Sequence, residues 1–270
     1  MTYFRAAPPR PLRDYIEAFS YWEGKETPDR KFLITASRAM SLQIDLHDTE
    51  LRWYSGEALA KCHVLKGVTL GGVQTRAFGI DENQPRIVRV IFKPGGAYPF
   101  FGPSAASFRD TVVSLEDIWG ADAERLQQRL VGAPSVGEIF RILGETLVAA
   151  APRALAHHPA VSLALSHSEY APQRTSVAGL AKAADLSRKR FINIFNDEVG
   201  VTPKLYLRMA RFERMLQSIF QLPAVNWAAT AADYGYFDQS HLNRDFRDFA
   251  GMTPSHYFAH RSDWHDAVRG

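Results

Sequence analysis

The sequence predicts an α+β chain in two parts, a β-rich N-terminal half and an all-helical C-terminal half. Three observations carry this. Short β-type runs separated by turn formers fill the chain up to Gly96, the apolar period then changes near Asp122, and from Pro159 onward no run alternates. Alternation marks a half-buried strand and a recurrence at three and four residues marks an amphipathic helix, so the change of period is a change of architecture.

The strands are read first. Phe32-Leu33-Ile34-Thr35, Ser41-Leu42-Gln43-Ile44-Asp45-Leu46 and Arg52-Trp53-Tyr54 are short β-type runs. Val73-Gln74-Thr75-Arg76-Ala77-Phe78 alternates, and so does Arg86 to Phe92, with Val88, Val90 and Phe92 on one face. Gly71-Gly72, Asp81-Glu82-Asn83 and Pro94-Gly95-Gly96 punctuate them, as turns require. Many short strands so spaced predict a barrel or a sandwich. Leu126 and Leu130, and then the stripe Val136, Ile139, Phe140, Leu143 and Leu147, predict two helices. That stripe is either a dimer seam or a surface packed on its own sheet. Ala149-Ala150-Ala151-Pro152 closes this unit, which sets domains at 1–153 and 154–270.

Bulk properties exclude more than they select. The 270 residues are 46% hydrophobic and 23% charged, a soluble globular composition. No apolar run approaches the roughly 20 residues of a membrane span, and Met1-Thr2-Tyr3-Phe4-Arg5 lacks a signal-peptide core. The expectation is a cytoplasmic protein with no membrane partner. The single cysteine, Cys62, forbids an internal disulfide. A net charge of +3 is too small to point to nucleic acid by itself.

The informative feature is an internal repeat in the second half, read at an offset of 51 residues. Phe191 matches Leu242, Phe195 matches Phe246, Gly200 matches Gly251, Thr202-Pro203 matches Thr253-Pro254, and Tyr206 matches Tyr257. Upstream, Ala181 is matched to Ala232 and Ser187 to Asp238, with no gap. In each copy a short small-residue helix is followed by a tight turn, an N-cap residue and a second helix ended by glycine. That is the grammar of a helix-turn-helix.

With the inward positions removed, the second helix of copy one shows Arg188, Lys189, Ile192 and Asn193, and that of copy two shows Gln239, Ser240, His241, Asn243 and Arg244. Such side chains read base edges in a major groove, where an apolar one meets the thymine methyl. A duplicated helical bundle without a nucleic-acid partner would share the apolar spacing but gives no reason for these polar faces. Between the copies, Thr202-Pro203 starts a helix of about 17 residues, roughly 25 Å long, with Lys204, Arg208, Arg211 and Arg214 mostly on one side. For these four a solvated face and phosphate contact are both open. The length suits major grooves about 34 Å apart.

Tyr234-Gly235-Tyr236-Phe237-Asp238-Gln239-Ser240-His241-Leu242-Asn243-Arg244-Asp245-Phe246, continued by Phe249, Gly251 and Met252-Thr253-Pro254, resembles the signature of the AraC/XylS family of bacterial transcription regulators. Residues of about 158–261 look like that family's DNA-binding domain. The resemblance implies base contacts from Lys189, Ile192, Asn193, Gln239, Ser240, Asn243 and Arg244. Asn193 stands where arginine is frequent, and Ile192 where a polar residue is usual. Pro9 to Ile16, Phe92 to Phe100 and Leu115 to Gly120 resemble, more weakly, the sensor half of one branch of the family. This implies a cupin-like β-barrel with flanking helices, an effector-controlled regulator of transcription, a homodimer, and contact with RNA polymerase.

Other chemistries fit less well. A cupin metal centre needs converging histidines, and only His47 and His63 precede the helices, so no metal and no cofactor is expected. Cys62-His63 lacks the flanking residues of an alkyl-transfer repair site, and no carboxylate pair or activated nucleophile suggests an enzyme. Trp53, Phe92 and Tyr98, with Tyr54 and Phe100, are either a ligand pocket or ordinary core. The rival readings are a barrel enzyme with a DNA-localising tail, and a ligand-free regulator whose first half only contacts protein.

Overall fold

The computed structural model describes residues 2–25, 31–47, 49–56, 59–81, 85–102, 104–151, 155–170, 172 and 175–260. The expected domain boundary, with Pro152, lies outside the described residues, as do Glu82 and Asn83 of one expected turn.

Ten strands make two antiparallel sheets. They are β1 (Thr2–Ala6), β2 (Ile16–Glu23), β3 (Lys31–Ile34), β4 (Ser41–Asp45), β5 (Glu50–Ser55), β6 (Lys61–Lys66), β7 (Val68–Gly71), β8 (Phe78–Asp81), β9 (Arg86–Phe92) and β10 (Val112–Ser114). One sheet runs β1-β2-β9-β4-β7-β10 and the other β3-β8-β5-β6. The expected barrel therefore does not close: each sheet keeps two edge strands, and the described strands form an open pair.

Val73 to Phe78 is not one strand, despite its alternation. Its backbone groups are met by side chains and a single bridge. Gln74 Nε2 donates to the carbonyls of Gly72 and Thr111, each at 3.2 Å, and Asp110 accepts from the Thr75 N–H at 2.6 Å and from its hydroxyl at 2.8 Å. Gly72 is forced here, because a Cβ would lie 1.7 Å from the Phe108 carbonyl oxygen.

After β10 come α1 (Glu116–Trp119), α2 (Ala121–Val131) and α3 (Val136–Ala150). The Ser135 hydroxyl caps α3 by accepting from the Glu138 N–H at 3.2 Å. The stripe on α3 packs on its own sheet and is no free dimer seam. Ile139, Leu143 and Leu147 join one buried core with Phe19, Tyr21, Leu42, Ile44, Val88, Val90 and Phe92, and the Phe140 ring lies 5.8 Å from that of Phe19. These are alternate residues of β2, β4 and β9, so only one face of the sheet is spent on the helices.

The rest is helical: α4 (Pro159–Tyr170), α5 (Val177–Ala183), α6 (Arg188–Val199), α7 (Pro203–Ile219), α8 (Trp227–Asp233), α9 (Gln239–Ala250) and α10 (Pro254–Ala259). The two halves are stitched together. Arg38 donates to Glu213 on α7, the Ala36 N–H donates to the Phe249 carbonyl on α9 at 2.7 Å, and Ser104 donates to Asp197 on α6 at 2.8 Å. Glu198, buried at the end of α6, accepts the His158 N–H at 3.1 Å and lies 3.1 Å from His157 Nδ1.

Candidate nucleic-acid interface

Each helix-turn-helix is built by its caps. In the first, Ser176 accepts from the Gly179 N–H at 3.0 Å and Ser187 from the Arg190 N–H at 3.3 Å. In the second, Asn226 accepts from the Ala229 N–H at 3.1 Å and Asp238 from the His241 N–H at 2.7 Å. A capped first turn satisfies donors that a buried helix start would otherwise orphan. Gly200 at φ +91° and Gly251 at φ +70° end α6 and α9, where a left-handed residue is needed and glycine adopts it freely.

The repeat carries one gap that the sequence comparison does not show. The first helices, with caps Ser176 and Asn226, are 50 residues apart, whereas the second helices, with caps Ser187 and Asp238, are 51 apart. The structural partner of buried Ala181 is buried Ala231, and Ala232 is exposed. The Leu186 N–H donates to the Ala181 carbonyl at 3.0 Å, and the Tyr236 N–H donates to the Ala231 carbonyl at 2.8 Å. The extra residue in the second turn is Phe237, whose side chain is 93% exposed.

On α6, Arg188, Lys189 and Asn193 are exposed and Ile192 is half-buried, while Phe191, Phe195 and Val199 form the inner face. On α9, Gln239, Ser240 and Arg244 are exposed. With Phe237, Asp238 and His241, Ser240 and Arg244 line an open recess of about 270 Å³. His241 and Asn243 differ from these. The His241 ring accepts the Phe237 N–H at 3.4 Å, lies 3.4 Å from Arg211 Nη2 and meets the Tyr236 ring edge-on. Asn243 is half-buried, with its Oδ1 enclosed and without a hydrogen-bond partner. His241 is thus turned towards its own domain, and the outward set of α9 narrows to Gln239, Ser240 and Arg244.

The linker α7 runs over the expected 17 residues, capped by Thr202. Two of its cations serve the protein itself. Asp245 on α9 is fully buried, and it accepts from Arg208 at 2.6 Å and from Arg211 at 3.0 Å; Arg208 also donates to Asp248 at 2.7 Å. Arg211 stacks on Tyr236, 4.0 Å from the ring centre. Burial works against the charge of Arg208, but the two aspartates outweigh it and raise its pKa. Nothing in the sequence marked this network, since it joins residues 34 to 40 positions apart. Lys204 and Arg214 are exposed.

Of the residues expected at a ligand pocket, Phe92 is fully buried against Phe100 and Phe101 in the main core, while Trp53 lies in the other sheet, stacked on His63 at 4.1 Å. Tyr98 is half-buried in the loop after β9. The structure does not gather Trp53 and Phe92 around one space. Among the described residues, no group of three or more His, Cys, Asp or Glu is placed to hold a metal, and no helix is long and apolar enough to cross a membrane. Cys62 is exposed on β6.

Two helix-turn-helix units joined by a rigid helix define a DNA-binding transcription regulator. Residues 180–260 match a helix-turn-helix domain family, and this part of the chain is an AraC-type domain of that kind. Residues 4–114 match a domain family of unknown function (DUF6597). No curated protein matches the chain. Among solved structures, an AraC-type regulator from Chromobacterium violaceum is 22% identical over 38% of this chain and 93% of its own, with a TM-score of 0.35. ToxT from Vibrio cholerae is 11% identical over 89% of this chain and 98% of its own, with a TM-score of 0.47. The C-terminal domain of AraT from Geobacillus stearothermophilus is 17% identical over 38% of this chain and 85% of its own, with a TM-score of 0.35.

Proposed function

We propose that the chain is a sequence-specific regulator of transcription that reads double-stranded DNA with α6 and α9 in successive major grooves, under the control of a small molecule held by the N-terminal half. The observation that carries the reading is the pairing of two capped helices whose inner faces are buried and whose first turns offer Arg188, Lys189 and Asn193, and Gln239, Ser240 and Arg244, to the outside. Arginine pairs with guanine O6 and N7, and asparagine and glutamine with adenine. Ile192, half-buried, fits a thymine methyl at the groove floor. His241 and Asn243 support the second helix from behind, and the reading gives them no base.

A homodimer and contact with RNA polymerase belong to the same reading. The α3 stripe is already covered, so self-association falls to another surface. The edge strand β1 offers one, with Tyr3 and Phe4 about half exposed. No chemical step is assigned to the chain, and its place is the bacterial cytoplasm.

Selection from a random duplex pool tests the proposal, run for the wild type and for Arg244→Ala. The wild type should enrich two half-elements about one helical turn apart. Arg244→Ala should relax one of them, at a cost of roughly 1–3 kcal/mol. No enrichment at low salt, with and without candidate effectors, would remove the reading.

A further inference from the structure

The six-stranded sheet spends only one face on the helical core. The other carries a polar row in register across its strands: Ser20 opposite Arg89, Arg89 opposite Gln43, and Gln43 opposite Thr69. The row is sheltered, with Ser20 8% and Thr69 3% exposed. Apolar residues of the same parity flank it: Ala18 and Ile91 are buried, and Trp22 and Ile87 are half-buried.

Arg89 is out of place in such surroundings. Its Nη2 donates to the neutral Gln43 Oε1 at 3.1 Å, and among the described residues no carboxylate pairs with it. The acid nearest in register is Asp45, opposite Ile87, and it is committed elsewhere: it accepts the His47 N–H at 3.0 Å and the Thr49 hydroxyl at 2.7 Å. Burial holds the Arg89 guanidinium below its usual pKa, with Tyr3 a lesser opposing influence. Yet the residue keeps some accessible area. A side chain enclosed by protein and still accessible opens onto a recess, and not onto bulk water. A guanidinium has five N–H groups in a planar fork, and one bond to an amide leaves most of that capacity unused.

We infer that this inner face binds a small organic carboxylate, with Arg89 as its cationic anchor and Ser20 and Gln43 as neutral partners. The planar fork suits a carboxylate held by two parallel bonds. One cation and apolar flanks suit a singly charged organic acid better than phosphate, which gathers several cations. The inference rests on the N-terminal half being the effector-binding half, and it names the class of effector.

The test uses the full chain, with acetate and benzoate as probes, acetamide and benzamide as uncharged counterparts, and equal chloride as the ionic control. Melting temperature and calorimetric binding are read for the wild type, Arg89→Met and Arg89→Gln. Benzoate, acetate or both should raise the wild-type melting temperature saturably, by at least about 2 °C, while the amides and chloride do not. Both variants should lose the response. Without ligand, Arg89→Met should melt at or above the wild type, because it removes a buried charge that has no counter-charge. The inference fails if neither carboxylate acts, if the variants respond like the wild type, or if Arg89→Met melts lower. It also fails if neither variant folds, since a side chain needed for folding is not held in reserve for a ligand. DNA binding by the same wild-type sample keeps the two readings apart: its loss counts against the regulator reading, and its retention without a carboxylate response counts against this one alone.

Discussion

Arg38, in the loop before β4, and Glu213, midway along α7, make a two-point contact: Arg38 Nε donates to Oε2 at 2.7 Å and the Arg38 backbone N–H donates to Oε1 at 3.0 Å. The same guanidinium donates to the Tyr206 hydroxyl at 2.7 Å and lies over its ring, 4.8 Å from the centre. One arginine of the N-terminal half therefore grips the helix that joins the two DNA-reading units. Burial works against its charge, and Glu213 outweighs burial to raise its pKa.

Breaking that grip leaves a partly buried charge unpaired. Arg38→Ala and Glu213→Ala should each cost about 2–4 kcal/mol, with the double variant costing much less than the sum. A double-mutant cycle by chemical denaturation checks this, and additivity would show that the contact carries no coupling. Hydrogen exchange in α7 should rise in both variants.

Asp245 predicts a different pattern. Asp245→Asn leaves Arg208 and Arg211 facing a neutral side chain inside the domain, at an expected cost of about 3–5 kcal/mol. DNA affinity should fall because α9 is no longer held on α7, while the preferred sequence stays the same. A selected site that changed in sequence would place Asp245 among the base readers instead.

Phe237 should show the reverse. At 93% exposure the phenyl contributes little to folding, and Phe237→Ala should move stability by no more than about 0.5 kcal/mol. Beside Ser240 and Arg244 on the outward recess, it should nonetheless matter for DNA, with affinity falling several-fold. Unchanged binding would mark the inserted residue as a spacer only.

The Tyr206 phenol carries an alkaline signature. Burial raises its pKa, and although Arg38 opposes this it still stands at about 12, against an ordinary 10.0. Below pH 10 both folded and unfolded chains keep the proton, so the contribution is constant. Between pH 10 and 12 only the unfolded chain loses it, and stability should fall through that window. In Tyr206→Phe this part of the slope should be absent, as pH-dependent denaturation would show.

The legible parts of the fold were those where burial and sequence period agree. β9 was read to the residue because Val88, Val90 and Phe92 alternate with half-buried neighbours. β1 was missed because its side chains are exposed on both faces, leaving no alternation, and β6 because its pattern is broken by lysines at each end. The one-residue shift in the repeat was hidden by the run Ala228, Ala229, Ala231 and Ala232, which aligns equally well one position either way. The recognition helices were readable from caps and apolar spacing, which are local. His241 was assigned to DNA because its contacts with Tyr236 and Arg211 are tertiary. The Arg38–Glu213 contact spans 175 residues, and Arg89 looked like any charged position on an alternating strand until its neighbours were in place.

The most direct test of paired reading is spacing. Once a site is selected, about five base pairs, half a helical turn, are inserted between its half-elements, and binding is measured against the parent duplex. The helix-linked, buried connection of α6 to α9 predicts that affinity falls to that of a single half-element. Affinity within about twofold of the parent would contradict the account, showing that only one unit reads DNA or that α7 does not hold the two in register.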